Sequence, residues 1–332
     1  MVDRPNKPSA LSSTPGLNPQ AQVSISHGSS RVTAVLPTGQ SVEVHLYGAT
    51  VLSWKDSRGQ EQLWLSETTK LDGSKAIRGG IPLVFPVFGP SPPDHPATAQ
   101  LPQHGFARTS RWEFLGKSTS ESSEVFQSSR GQSSAEVATA DLSVKLDFGL
   151  SSGNLEPEVR KLWPHAFGLI YSVTLGCNSL STSLVVTNED DKPFDFQVLF
   201  HTYFGISDIN KTEIAGLDKA EYLDKTEGYA AKTQSANVSF TRETDRVYTP
   251  VGGPREPVSI VESGKKRFDV VRDNLGDVVV WNPWQDKAAG MADFGPDDGY
   301  KKMVCVEAGS VRGWQVLEPG DAFECAQTIV PQ

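Results

Sequence analysis

The run Val32-Thr-Ala-Val-Leu36-Pro37-Thr-Gly-Gln40-Ser41-Val-Glu-Val-His-Leu-Tyr47 reads as two β-strands closed by a tight turn. β-Branched residues alternate with polar ones on both sides, and Pro-Thr-Gly-Gln supplies the turn chemistry. The pattern recurs along the chain. Thr50-Val-Leu-Ser-Trp-Lys55 follows, then a turn through Asp56-Ser-Arg-Gly59 and Gln62-Leu-Trp-Leu65. Residues 142–148, 169–175, 183–187 and 194–200 alternate with period two, and residues 188–193 form a turn between two of these runs. Later strands are expected at 277–281, 303–307 and 322–329. No long stretch keeps a helical stripe; short helices are expected only near residues 66–71 and 296–301. With 29 Gly and 22 Pro to serve its turns, the chain reads as all-β, a sandwich rather than an α/β fold. Residues 1–20, rich in Pro, Ser, Asn and Gln, read as a disordered tail. Residues 21–332 read as one domain, with a Ser-rich surface loop or irregular hairpin at 117–135.

Composition narrows the function. The chain has 332 residues and a formal net charge of −9, from 31 Lys and Arg against 40 Asp and Glu. An acidic chain without basic runs argues against nucleic acid and against anionic membrane surfaces. The longest apolar run, residues 81–88, is broken by Pro82 and Pro86 and is too short to span a bilayer. The N-terminus has no apolar core of the secretory kind. Three cysteines, Cys177, Cys305 and Cys325, form no even framework and suit no zinc spacing. They read as buried free thiols of a cytoplasmic protein. Metal constellations, Gly-rich phosphate loops and Gly-x-Ser-x-Gly elbows are all absent from the sequence, which weakens metalloenzyme, kinase, dehydrogenase and hydrolase readings.

Two arginines stand out. Arg78 lies in Ala76-Ile-Arg-Gly-Gly-Ile-Pro-Leu-Val-Phe-Pro-Val-Phe-Gly-Pro90 and Arg108 ends Leu101-Pro-Gln-His-Gly-Phe-Ala-Arg108. The only acid between them is Asp94, in a Pro-rich loop. Either both pair with acids from distant strands, or their missing partner is a ligand anion; a planar fork of donors suits phosphate or carboxylate.

Further candidates lie on the strands. In Phe194-Asp-Phe-Gln-Val-Leu-Phe-His-Thr-Tyr-Phe204, alternation puts Gln197, Leu199, His201 and Tyr203 on one face. His201 is then either a satisfied core residue or a proton-transfer group. Glu307 shares a face with Met303 and Cys305 and ends an apolar strand, where an unpaired charge is expensive. It is either salt-bridged, for instance to Arg312, or a base held in a dry site. Asp245 sits in a polar stretch that reads as loop. His104 adjoins Gly105, which permits a close backbone approach and a ring facing a cleft. Trp281 and Trp284 offer either core or a sugar-stacking surface.

Taken jointly, these segments resemble the aldose 1-epimerases, most closely their hexose-6-phosphate mutarotase branch. The resemblance rests on Tyr47-Gly-Ala-Thr-Val-Leu-Ser-Trp54, the Arg78-Gly-Gly-Ile-Pro block, Pro102-Gln-His-Gly-Phe-Ala-Arg108, Phe200-His-Thr-Tyr-Phe204, Asp245 and Val304-Cys-Val-Glu-Ala-Gly309. It covers roughly residues 30–330. It implies a large twisted antiparallel β-sandwich, the galactose mutarotase-like supersandwich, with few short helices. It implies an isomerase that interconverts sugar anomers, without metal or cofactor. By the same resemblance His201 is the general acid and Glu307 the general base. Arg78, Gln103 and Arg108 then contact a sugar phosphate, Asp245 accepts from sugar hydroxyls, and His104 lines the site. Glu307 is expected ionised and His201 protonated before reaction. The expected partner is a small hexose 6-phosphate, glucose 6-phosphate first, with the chain a monomer. The competing readings are an epimerase for neutral aldoses, which gives two arginines no charge to meet, and a non-catalytic sugar-phosphate-binding module, which needs no proton-transfer pair.

Overall fold

The hairpin forms where the sequence places it. In a computed structural model, which describes residues 20–92, 94–119 and 142–332, strand Arg31–Val35 pairs antiparallel with Ser41–His45. With Gln22–Ser26 and Thr50–Lys55 they build a four-stranded sheet. Val32, Ala34, Val42 and Val44 are buried and their neighbours in sequence are not, apart from His45. The predicted tail and most of the Ser-rich segment lie outside the described residues.

Two larger sheets carry the rest. The nine-stranded sheet runs in the order Val238–Ser239, Thr212–Ala215, Val258–Glu262, Lys265–Asp273, Ala322–Pro331, Leu180–Asn188, Phe167–Gly176, Ser143–Ser151, Glu113–Thr119. The eight-stranded sheet runs Ala230–Thr233, Glu221–Asp224, Thr244–Thr249, Asp277–Asn282, Met303–Leu317, Phe194–Phe200, Leu83–Val84, with Tyr203–Gly205 beside Met303–Leu317. All their named strand pairs are antiparallel. The all-β expectation holds. Residues 188–193 do more than turn: they carry the chain from the nine-stranded sheet to the eight-stranded one.

The period-two reading of residues 194–204 explains what the eight-stranded sheet does. Phe196, Val198 and Phe200 join the main core together with Tyr171, Phe268 and Phe323 of the other sheet; rings meet across it at Tyr171–Phe200, 6.1 Å, and Phe196–Phe323, 5.5 Å. Leu199 and Tyr203 face the opposite way, into a second cluster with Trp281, Met303 and Cys305. One face therefore holds the two sheets together, and the other is free to carry side chains of a different kind.

The expected helices are corrected. Residues 66–71 form turns, and only Gly299–Lys302, a 3-10 turn, answers the prediction at 296–301. Two six-residue helices sit instead at Pro157–Leu162, with Pro at its first turn, and Trp284–Ala289. Each is too short to show a periodic stripe. Residues 62–65 make isolated bridges rather than a strand. No helix among the described residues is long and apolar enough to cross a membrane.

Candidate functional site

Four neighbouring strands put a row of side chains on the second face. Asp245 pairs with Trp281, Trp281 with Cys305, and Cys305 with Tyr203. Glu307, two residues beyond Cys305, faces the same way. His201 enters just before Tyr203, anchored by its backbone N–H on the Pro82 carbonyl, 2.9 Å. Its ring stacks on Tyr203 at 4.7 Å and 10° and stands edge-on to Trp281 at 6.0 Å.

His201 Nδ1 lies 3.5 Å from Glu307 Oε1, with 9% and 1% of the two side chains exposed. That is near enough for charge interaction, yet the geometry completes no hydrogen bond to His201 Nδ1. Both His201 Nδ1 and Glu307 Oε2 are enclosed without a partner. Buried polar atoms are nearly always satisfied, so two orphans on adjoining groups point at a ligand. The salt bridge from Glu307 to Arg312 does not form: Arg312 Nη1 donates instead to Thr249 Oγ1, 2.9 Å.

Burial pushes the Glu307 carboxyl well above its usual range, and nearby Asp245 adds to the push. Burial also pushes His201 well below its usual value, helped by the positive charges of Arg108, Arg78 and Lys225. Both shifts favour the uncharged form of each group. The charges of Lys225 and Arg108 act the other way on Glu307 and hold its carboxyl down.

The other predicted residues except Arg108 line one cavity here. A cavity of about 300 Å³ is lined by Arg78, Gln103, His104, His201, Asp245 and Glu307, together with Phe88, Lys225, Val279, Trp281, Lys287 and Met291. His104 has φ +67°, stands edge-on to His201 at 5.8 Å, and accepts at Nδ1 from the Gly89 N–H, 3.1 Å. That bond fixes the neutral tautomer with its proton on Nε2. Burial lowers its pKa well below the ordinary value, so His104 is a neutral wall. Asp245 is not in a loop but within strand Thr244–Thr249.

The arginines part company. Arg78 has an acid after all: Asp293, reached at 3.0 Å by Nη2 and 3.3 Å by Nε, while Nη1 donates to the Tyr203 hydroxyl, 3.2 Å. Arg78 thus has the distant acid that one of the two readings expected, and it also lines the cavity. Arg108 has no acid in reach among the described residues. Its Nη2 donates to the Gln103 carbonyl, 2.8 Å, and its enclosed Nε has no partner. Burial brings its pKa down to about 10, so it stays charged while poorly solvated.

Sequence reasoning missed Lys225 and Lys287. Lys225 Nζ lies 3.1 Å from Asp245 Oδ1 and 4.7 Å from the centre of the Phe88 ring. Lys287 bonds Glu243, 2.5 Å. Neither stands in an apolar frame that would draw notice. The structure also brings Cys305 Sγ beside His201 and Glu307; Cys305 and Glu307 share one strand, and His201 joins them from another segment.

A larger cavity, about 470 Å³, is lined by Arg31, Glu43, Glu61, Trp64 and Lys302 among others. None of the sequence candidates reaches it. Arg31 pairs with Glu43 at 3.0 Å, though its enclosed Nε has no partner, and Glu61 accepts the Trp54 N–H at 2.8 Å. The unpartnered atoms of His201 and Glu307 lie instead at the smaller cavity, where the sequence candidates gather.

A family model described as Aldose 1-epimerase matches residues 31–329. A provisionally assigned glucose-6-phosphate 1-epimerase of Cenchrus ciliaris is 35% identical over 285 residues, 85% of this chain and 78% of that one. One of the same description from Escherichia coli K12 is 32% identical over 286 residues, 86% and 84% of the two chains. The crystal structure of a provisionally assigned mutarotase from Salmonella typhimurium superposes with a TM-score of 0.75 at 29% identity, covering 93% of each chain.

Proposed function

The chain belongs to the aldose 1-epimerase family, and from that premise we propose that it interconverts the α and β anomers of hexose 6-phosphates, glucose 6-phosphate first. The observation that carries the reading is the His201–Glu307 pair, each with an orphaned atom, beside an Arg108 that has no acid. The names of its relatives support the phosphorylated substrate.

In the proposed reaction Glu307 takes the proton of the C1 hydroxyl and His201 gives one to the ring oxygen. The C1–O5 bond breaks, a C1 aldehyde forms, rotation about C1–C2 turns its face, and the transfers reverse as the ring closes. Starting from Glu307 ionised and His201 protonated, ring opening leaves both uncharged. The uncharged forms that burial favours are thus those that accompany the open-chain sugar. A bound phosphate dianion raises His201, offsetting Arg108, Arg78 and Lys225, and so prepares the charged starting pair. Arg108 with Gln103 holds the phosphate. Asp245, shared with Lys225, accepts from sugar hydroxyls, His104 and Trp281 bound the ring, and Arg78 orders Tyr203 and through it the His201 ring.

The proposal includes residues 21–332 as one domain, supported by a core cluster that runs from Ala21 to Ile329. It also includes a monomeric, cytoplasmic setting; Cys177, Cys305 and Cys325 form no disulfide with one another, which suits a reducing compartment. Exchange NMR between the anomers of glucose 6-phosphate is the test. The protein should speed exchange far above buffer, and glucose 6-phosphate should outpace glucose. A rate equal to buffer for both sugars would refute an enzyme, and equal rates for both sugars would refute the phosphate preference.

A further inference from the structure

Cys305 is the member of the site row that sugar chemistry leaves unused. It is fully buried and flanked by Trp281 and Tyr203 through the strand register. Its Sγ, an imidazole nitrogen of His201 and a carboxylate oxygen of Glu307 all lie within 4.8 Å of one another. Two of the three residues also carry an enclosed, unpartnered atom, His201 Nδ1 and Glu307 Oε2. A soft thiol, an imidazole and a carboxylate, the last two with an unpartnered atom each, form a donor set that hard cations do not prefer and thiophilic ones do.

We propose that His201, Cys305 and Glu307 form an inhibitory site for a thiophilic divalent cation of the zinc and cadmium class. Metal–ligand lengths of about 2.0–2.3 Å place the ligands of a tetrahedral ion roughly 3.5 Å apart, so the three need close by about an ångström. The fourth position opens to the cavity and takes water. As the ion binds, the thiol and a protonated Glu307 each release a proton to solvent, and the ion sheds water in exchange. Thiolate and carboxylate together balance the two charges of the cation. Arg78, Arg108 and Lys225 oppose a cation here and Asp245 favours it; only an ion that gains strongly from the thiolate overcomes the three. Cation binding does not depend on the proposed reaction. Inhibition does, because the ion would occupy the proton-transfer pair.

The test is a titration of the full chain with cadmium chloride, followed by the ultraviolet charge-transfer band of cadmium thiolate and, in parallel, by anomer exchange. Wild type and Cys177→Ser should bind one ion with the same affinity and lose activity together. Cys305→Ser should lose the band and keep its exchange activity in cadmium; magnesium should do nothing to any of them. If Cys305→Ser does not fold, His201→Asn decides: it should keep the band but bind at least tenfold more weakly. No band in wild type up to millimolar cadmium would overturn the site, as would unaltered affinity in the variant used. Cadmium held at Cys305 with undiminished exchange would overturn inhibition and place the reaction elsewhere. A metal-free protein without exchange activity would overturn the proposed function, and the cadmium band would still decide the site.

Discussion

His201 Nδ1 and Glu307 Oε1 stand 3.5 Å apart with no hydrogen bond completed between them. A structural pair would close that gap; a pair that must exchange protons with a third molecule leaves it open. His201→Asn and Glu307→Gln should each lower kcat for glucose 6-phosphate by about 10²–10⁴, the usual worth of one proton-transfer group. The double variant should fall little further, because the two act in one step. The competent pair carries one shared proton. With His201 lowered and Glu307 raised, the acid limb of kcat/KM should lie below the ordinary histidine value and the alkaline limb above the ordinary carboxylate value. An acid limb above the ordinary histidine value, or an alkaline limb below the ordinary carboxylate value, would count against the pair.

The same burial has a stability cost with a defined sign. Glu307 titrates higher folded than unfolded, so its favourable contribution is complete below the unfolded carboxylate value and is lost as pH rises through the folded one. Glu307→Gln removes the ionisable group and keeps the shape. It should therefore unfold later than wild type at pH 8, by about 1–3 kcal/mol, the usual cost of a buried unsatisfied group. The advantage should vanish near pH 4. Denaturant melts at the two pH values give the comparison; a variant less stable than wild type at pH 8 would show that the carboxylate is compensated.

Much of this site could be read from the chain, for reasons that differ by residue. His201 and Glu307 were legible because each sits in an alternating apolar strand, where a polar intruder is costly enough to stand out. Asp245 was not. Thr244–Thr249 carries polar residues on both faces, which hides the period of two. The partner of Arg78 was hidden for another reason: its acid, Asp293, comes 215 residues later, and no local pattern reports a contact at that separation. Lys225 reaches Asp245, and Cys305 meets His201, only through strand pairing, which a single sequence leaves open. The sheet content was plain. The six-residue helices were not, being shorter than two helical turns.

The separate fates of the arginines give two different variants. Arg108→Ala removes a charge that meets no acid, so the loss falls on the ligand: KM for glucose 6-phosphate should rise roughly 10- to 150-fold, for about 1.5–3 kcal/mol of charged hydrogen bonding. KM for glucose should move little. Arg78→Ala strands Asp293 and frees the Tyr203 hydroxyl behind His201. It should lower kcat for both sugars and lower stability as well. Equal KM effects of Arg108→Ala on both sugars would remove Arg108 from phosphate binding.

The glycines of the two arginine motifs are held by backbone, and their replacement tests the fold beneath the site. Gly80 has φ +66°, and a Cβ there would come 2.0 Å from the Val51 carbonyl oxygen; Gly105 has φ +68°, and its Cβ would come 2.1 Å from the Phe85 carbonyl oxygen. In both cases the obstacle is main chain in a buried segment, which cannot swing aside as a side chain would. The two close approaches join the segments that deliver Arg78 and His104 to the cavity: Gly80 accepts the Tyr203 N–H at its carbonyl, 2.9 Å, and Phe106 N–H bonds the Phe85 carbonyl, 3.0 Å. Alanine at either position combines a left-handed backbone with a steric clash, so each substitution should cost upwards of about 2 kcal/mol. Gly59→Ala is the control, since its φ is +79° but nothing lies within 4 Å of its Cβ; it should cost only about 1 kcal/mol for the left-handed backbone. Thermal unfolding of the three variants orders them, and a Gly80 variant as stable as the Gly59 one would refute the close approach.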